Sequence, residues 1–235
     1  RPDGSAALAV LRDTAEVAII DLPTEVTLTL KVQKVSVAPL VAGLARITDD
    51  SKTAILYTSV AGIESVARLD LTTRKVTPVL LRKTIDYVWL AKGSRTALLV
   101  HKPADGPLHA LDDTEAFVDD SYGYTLFDLD TGYTKLVLTS VAPAGIAASK
   151  SPNTAWVLLP GAAGGIDHKV QSAGLDTLLV EDIALASRPE YVRPLDAAGV
   201  MAVSQLHASG RMTFVDSKTG AAKTVTGYEL NGLVK

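Results

Sequence analysis

The 235-residue chain contains no cysteine, which excludes a disulfide framework, a thiolate zinc site and a cysteine nucleophile. Aromatic residues are scarce, at 5% of the chain. No apolar run approaches the roughly 18 residues that span a bilayer, and no signal-peptide pattern opens the chain. Neither sign of charge dominates: 23 basic against 26 acidic residues leave a net charge of -3, so the electrostatic footprint of a nucleic-acid binder is missing. Long helical patterns are missing too. The Ala-rich stretch Ala142 to Ala155 is broken by Pro143, Gly145 and Pro152, which interrupt any helical hydrogen-bond ladder.

What is present is typical of a globular protein, with 47% hydrophobic and 21% charged residues. A chain of this length buries a substantial core. It begins at Arg1, without a methionine and inside a strand-turn pattern, RPDGSAALAVL, which predicts a processed or partial chain.

Short runs rich in Val, Ile, Leu and Thr alternate with clusters of Gly, Pro, Asp and Asn, the pattern of an all-β fold. The runs also repeat. VAIIDLPTEVTLTL (17–30), VARLDLTTRKVTPVLL (66–81), YTLFDLDTGYTKLVL (124–138) and MTFVDSKTGAAKTVT (212–226) share one strand-turn-strand plan, and VQSAGLDTLLVEDIAL (170–185) is a degenerate copy. A second unit precedes each of them, as in TDDSKTAILYT, AKGSRTALLVH and SKSPNTAWVLL. Each composite repeat therefore reads as four antiparallel strands in about 45 residues, the plan of a β-propeller blade. One such sheet leaves an apolar face exposed and must pack on a neighbour. About five four-stranded blades are counted, roughly 1–35, 36–82, 83–141, 142–187 and 188–235, in a single propeller domain that is an incomplete ring or part of a larger propeller. The first blade lacks its innermost strand.

In the third copy, DLDTG (128–132) resembles the start of a calcium loop when read alone. Beside IDLPT, LDLTT and VDSKT it reads as a turn, with Asp bonding nearby amides and Gly supplying positive φ. The third blade also carries an insertion, His101 to Gly123, with Asp105, His109, Asp112, Asp113, Glu115, Asp119 and Asp120. These hard oxygen donors suit calcium, yet the EF-hand spacing is not met. Insertions in repeat proteins tend to carry contacts, so these residues are the candidate ligand-binding set, joined by His207. His101 and His207 follow strands of blades three and five and are expected on one rim, where imidazoles can ligate a metal.

Two other groupings fail. Ser204, His207 and Asp216 lack the nucleophile elbow of a hydrolase triad. PGAAGGIDH (160–168) has neither the Lys-Ser/Thr pair nor the following helix of a phosphate loop. No catalytic residue is assigned.

The PDGS turn with AVLRDTAEVAIIDL, and GRMTFVDSKTGAAKTVTG, resemble blades of the YVTN/WD40-like (quinoprotein- and lactonase-like) bacterial propellers. The resemblance implies a bacterial periplasmic, cell-surface or extracellular setting. It covers most of the chain but marks architecture, which unrelated functions share. Two functions follow as expectations. One is a non-enzymatic scaffold contacting a protein or saccharide partner through loops on one face, or another chain that completes the propeller. The other is a metal-dependent, lactonase-like hydrolase with its site at the central channel. Neither requires nucleic acid or a membrane span, and no cofactor is expected beyond calcium at the acidic insertion.

Overall fold

The computed structural model describes residues 1–22, 31–104, 113–150 and 153–227. The chain divides into two compact units, residues 1–120 with 124–136, and 121–123 with 137–235. The fold is all-β, built from five consecutive antiparallel sheets.

The first sheet has three strands, β1 (Ala6–Leu11), β2 (Glu16–Asp21) and β3 (Lys31–Ser36). The second has β4 (Leu44–Ile47), β5 (Thr53–Tyr57), β6 (Ser65–Asp70) and β7 (Val76–Leu80), each paired with the next. The third follows the same order with β8 (Ile85–Leu90), β9 (Thr96–His101), β10 (Tyr122–Asp128) and β11 (Thr134–Thr139). Helix α1 (Asp113–Asp120) lies in the connection before β10. β12 (Gly145–Lys150), β13 (Asn153–Leu159), β14 (His168–Gly174) and β15 (Val180–Leu185) form the fourth sheet. The fifth comprises β16 (Pro189–Leu195), β17 (Val200–Gln205), β18 (Arg211–Asp216) and β19 (Ala222–Thr226).

The register explains the repeat. Asp21 pairs with Ala6, Asp70 with Thr53, Gly174 with Thr154 and Asp216 with Val200. These pairings put β1 in the place of β5, so the strand missing from the first sheet is the one that matches β4. Because strand side chains alternate, a fixed register sends matching positions of every sheet to the same face. Val17 and Ile19 meet Ala54, Leu56, Ala67 and Leu69 in one core cluster between the first two sheets. Ile55, Tyr57 and Val66 meet Ala97, Leu99 and Phe127 between the second and third. Trp156, Leu158 and Val170 meet Val192, Met201, Val203 and Val215 between the fourth and fifth. Within each unit, neighbouring sheets bury their facing apolar side chains by stacking, as sheet-on-sheet packing requires.

The recurring Asp anchors a turn. Asp128 Oδ1 accepts the amide hydrogens of Asp130 and Thr131 at 2.8 and 2.9 Å, and Gly132, at φ 82°, donates its N–H to the Asp128 carbonyl. Asp70 and Asp216 repeat this with Thr72 and Thr73, and with Lys218 and Thr219. The bonds from Thr73 and Thr219 lead in holding these two carboxyls below the usual carboxylate range. The degenerate copy has Gly174 instead, where a Cβ would meet Thr177 Oγ1 at 2.3 Å. DLDTG is thus a hairpin turn. Asp128→Ala is expected to destabilise by about 1 kcal/mol, the net value of such bonds, while Asp128→Asn retains most of it, as read by urea denaturation.

Candidate functional site

Two surfaces bring together the residues that carry chemistry: the rim around the insertion in the first unit, and the outer face of the fifth sheet in the second.

At the rim, His101 ends β9 and is 1% exposed. Its Nδ1 lies 2.8 Å from the Thr84 carbonyl, so Nδ1 carries the hydrogen and donates it. Nε2 then accepts from the Thr125 hydroxyl at 2.7 Å, and both ring nitrogens are engaged. Burial lowers the His101 pKa to about 4, against the opposing bond to Thr84, with nearby Lys83 lowering it further.

Lys83 is itself 3% exposed. Its Nζ donates to the carbonyls of Val118 and Asp119 at 2.5 and 3.0 Å. These carbonyls belong to the last turn of α1, where a cation complements the helix dipole and the unpaired C=O groups. Burial pushes the Lys83 pKa down, while Asp119 and Glu64 push it up. Ala104 N–H also reaches the Asp119 carbonyl at 2.9 Å, which ties the start of the insertion to its end.

The structure distributes the candidate set as follows. Asp119 is buried and Asp120 exposed at the end of α1. Asp113 and Glu115 lie in α1. Asp105, His109 and Asp112 lie outside the described residues. His207 is exposed in the second unit, and its Nδ1 accepts the Ser209 N–H at 3.2 Å. By register, the position matching His101 is Gln205, because His101 pairs with Ile85 and Gln205 with Pro189. Gln205 also bridges a backbone group and a threonine hydroxyl, with the directions reversed: its Oε1 accepts from Ser187 N–H at 3.1 Å, and its Nε2 donates to Thr213, the counterpart of Thr125. His207 comes two residues later, in the loop. Among the described residues no group of three or more His, Asp or Glu side chains converges to hold a metal ion.

Two features of this rim are absent from the sequence-based set. One is Lys83. The other is Phe117, 63% exposed on α1. Phe117 and Tyr122 are the two aromatic residues of the insertion, and Phe117 stands between its acidic residues, a signal available from composition alone.

On the fifth sheet, Tyr191, Arg193, Ala202, Ser204, Met212 and Phe214 line a groove of about 560 Å³, together with Leu206, His207 and Arg211. Tyr191 is 45% exposed and Leu206 59%. A bulge between Pro189 and Tyr191 turns this tyrosine outward, and the same irregularity between Ile85 and Tyr87 recurs in the third sheet. An acid precedes each tyrosine, Glu190 and Asp86. The described residues contain no helix long and apolar enough to cross a membrane.

No family profile matches the chain, and no curated protein matches it. Among solved structures, it is similar to NirN, a dihydro-heme d1 dehydrogenase in complex with DHE, at 11% identity and a TM-score of 0.56, over 97% of this chain and 46% of that one. It is also similar to the hydrazine synthase of Kuenenia stuttgartiensis, at 15% identity and a TM-score of 0.48, over 96% of this chain and 63% of that one. The chain thus spans less than two thirds of the length of either neighbour. Taken with the five consecutive antiparallel sheets, the likeness to NirN shows a β-propeller fold, and the fold alone.

Proposed function

We propose that the protein is a non-enzymatic binding scaffold whose insertion rim contacts a protein or saccharide partner, in the bacterial cell envelope or outside the cell. Phe117 carries this reading: an aromatic side chain, 63% exposed, stands on a helix whose last carbonyls are held by a buried lysine. A rigid aromatic on a pinned helix offers contact area with little entropy left to lose. The buried ionisable groups of the rim, His101 and Lys83, are spent on building it. The YVTN/WD40-like resemblance of the repeat supports the envelope setting.

Glycan-array screening followed by titration calorimetry tests the saccharide arm, and interaction mapping with co-expressed envelope proteins tests the protein arm. Phe117→Ala is expected to weaken binding by roughly tenfold or more, as loss of an interface anchor does, with no change in melting temperature. The competing reading is the metal-dependent hydrolase. Stoichiometric zinc, calcium or manganese, lost together with lactone hydrolysis in Asp112→Ala, would replace the scaffold reading.

A further inference from the structure

Within the second unit the fifth sheet packs on the fourth as, within the first unit, the third packs on the second. Register from the Thr53–Asp70 and Thr154–Gly174 pairs matches Trp156, Leu158 and Val170 to Ile55, Tyr57 and Val66, and each trio packs against the following sheet. The hairpin turns that meet these faces match as well. Asp128 and Asp216 accept the amide hydrogens two and three residues on, and the next residues, Leu129 and Ser217, donate to the Arg95 and Gly199 carbonyls. Ser217, Lys218 and Gly220 therefore stand where Leu129, Asp130 and Gly132 do.

Inside this shared frame the first unit holds two arginines that the second lacks. Arg68 Nη1 donates to the Leu129 and Asp130 carbonyls at 2.5 and 2.6 Å, and Arg95 Nη2 reaches Asp130 Oδ1 at 2.7 Å and Thr53 Oγ1 at 3.4 Å. Register puts Ser172 at the Arg68 position, and the matching turns put Gly199 at that of Arg95. The space stays open. A Cβ on Gly132 would meet Arg68 Nη2 at 3.5 Å, whereas one on Gly220 would meet nothing within 4 Å. A cleft of about 190 Å³ lies there, with Thr154, Trp156, Ser172, Glu181, Ser217 and Lys218 in its wall. A guanidinium sits on the turn of the second sheet too: Arg1 Nη2 donates at 2.9 Å to the carbonyl of Leu71, which follows Asp70 as Leu129 follows Asp128.

We infer that the cleft between the fourth and fifth sheets binds the guanidinium group of a ligand, in the place that Arg68 fills between the second and third. The carbonyls of Ser217 and Lys218 take the roles of those of Leu129 and Asp130, accepting from the planar fork of N–H donors that a guanidinium presents. Two replacements favour such a cation. Glu181, paired with Ser172, brings a carboxylate where Thr77 pairs with Arg68. Trp156 stands in place of Ile55 and gives the cleft an aromatic wall, a surface that suits guanidinium. Lys218 opposes a cation, but it is exposed, where salt and water screen its charge. An anion would face Glu181 and two carbonyl oxygens instead. The volume is below the roughly 300 Å³ at which pockets for drug-sized ligands begin and suits a single head group. No residue of the cleft belongs to the insertion rim, so the inference stands apart from the reading above.

Titration of the isotopically labelled 235-residue chain with ethylguanidinium, followed by nuclear magnetic resonance, tests this. Saturable shifts are expected at Ser172, Glu181, Ser217 and Gly220, with a Kd on the order of 1 mM, as for a fragment of this size, and none with neutral ethylurea. Glu181→Gln, at an exposed position, is expected to weaken binding roughly two- to fivefold, the worth of an exposed ion pair, and Lys218→Ala to strengthen it. Ser172→Arg supplies the guanidinium from the chain itself and is expected to abolish binding while leaving the melting temperature equal or higher. A blocked Gly-Arg-Gly peptide separates the two sources of the group: tighter binding than ethylguanidinium assigns it to an arginine of a polypeptide partner, weaker binding to a small alkylguanidine. Absence of saturable shifts, equal binding of ethylurea, or affinity unchanged in Glu181→Gln would each overturn the proposal.

Discussion

Trp156→Ala is expected to lower the unfolding free energy by roughly 3–5 kcal/mol, the range for deleting a buried tryptophan. Trp156 is 1% exposed and packs with Leu158 and Val170 of its own sheet against Val192, Met201, Val203 and Val215 of the next. Two sheets therefore lose contacts at once, and strands stacked face to face collapse poorly into a void. Its Nε1 donates to Ser149 Oγ at 3.1 Å, and Ser149 is itself buried. Trp156→Phe keeps most of the volume and lies between wild type and alanine. Calorimetry and urea denaturation read both effects, with the loss concentrated in the second unit. Trp89 is only half-buried on β8, and its removal is expected to matter less.

The second large effect depends on pH. His101 is held neutral by burial, with its pKa lowered from 6.5 to about 4. The unfolded chain binds the proton more readily, so the stability tied to this residue is complete above pH 6.5 and is lost as the pH falls from there toward 4. The difference is worth roughly 3 kcal/mol at the acid end. His101→Gln is expected to remove most of this dependence. The fifth sheet already places Gln205 at the matching position, where its amide bridges a backbone group and a threonine hydroxyl, and a glutamine at 101 can turn its amide to donate to the Thr84 carbonyl. Melting curves of the two proteins should lie close together near neutral pH, with the variant the more stable at pH 4.5. His101→Ala, by contrast, leaves the Thr125 hydroxyl and the Thr84 carbonyl without their partner and should destabilise at every pH.

The repeat was legible because its signals are local. An aspartate bonding its own turn, a glycine at positive φ and alternating side chains need no knowledge of distant residues, so the hairpin reading of DLDTG and the incomplete first sheet follow from the sequence. The site was less legible because its determinants are distant in the chain. Lys83 finds its partners 35 and 36 residues away, and nothing in RKT announces that. The histidines show the same limit. Both follow similar apolar runs, but matching by eye cannot resolve a two-residue difference in register, and that difference separates a buried bridge from an exposed loop. The groove on the fifth sheet was hidden for another reason: Met212, Phe214 and Ala202 look like ordinary core residues, and only the absence of a covering sheet among the described residues makes them a surface.

That His101 is a neutral structural bridge, not a metal ligand or a proton-transfer group, is best tested by nuclear magnetic resonance titration of its labelled imidazole. The expected result is a hydrogen on Nδ1, a midpoint near pH 4 and no response to added zinc or calcium. A midpoint near 6.5, or a resonance displaced by stoichiometric metal, would contradict it.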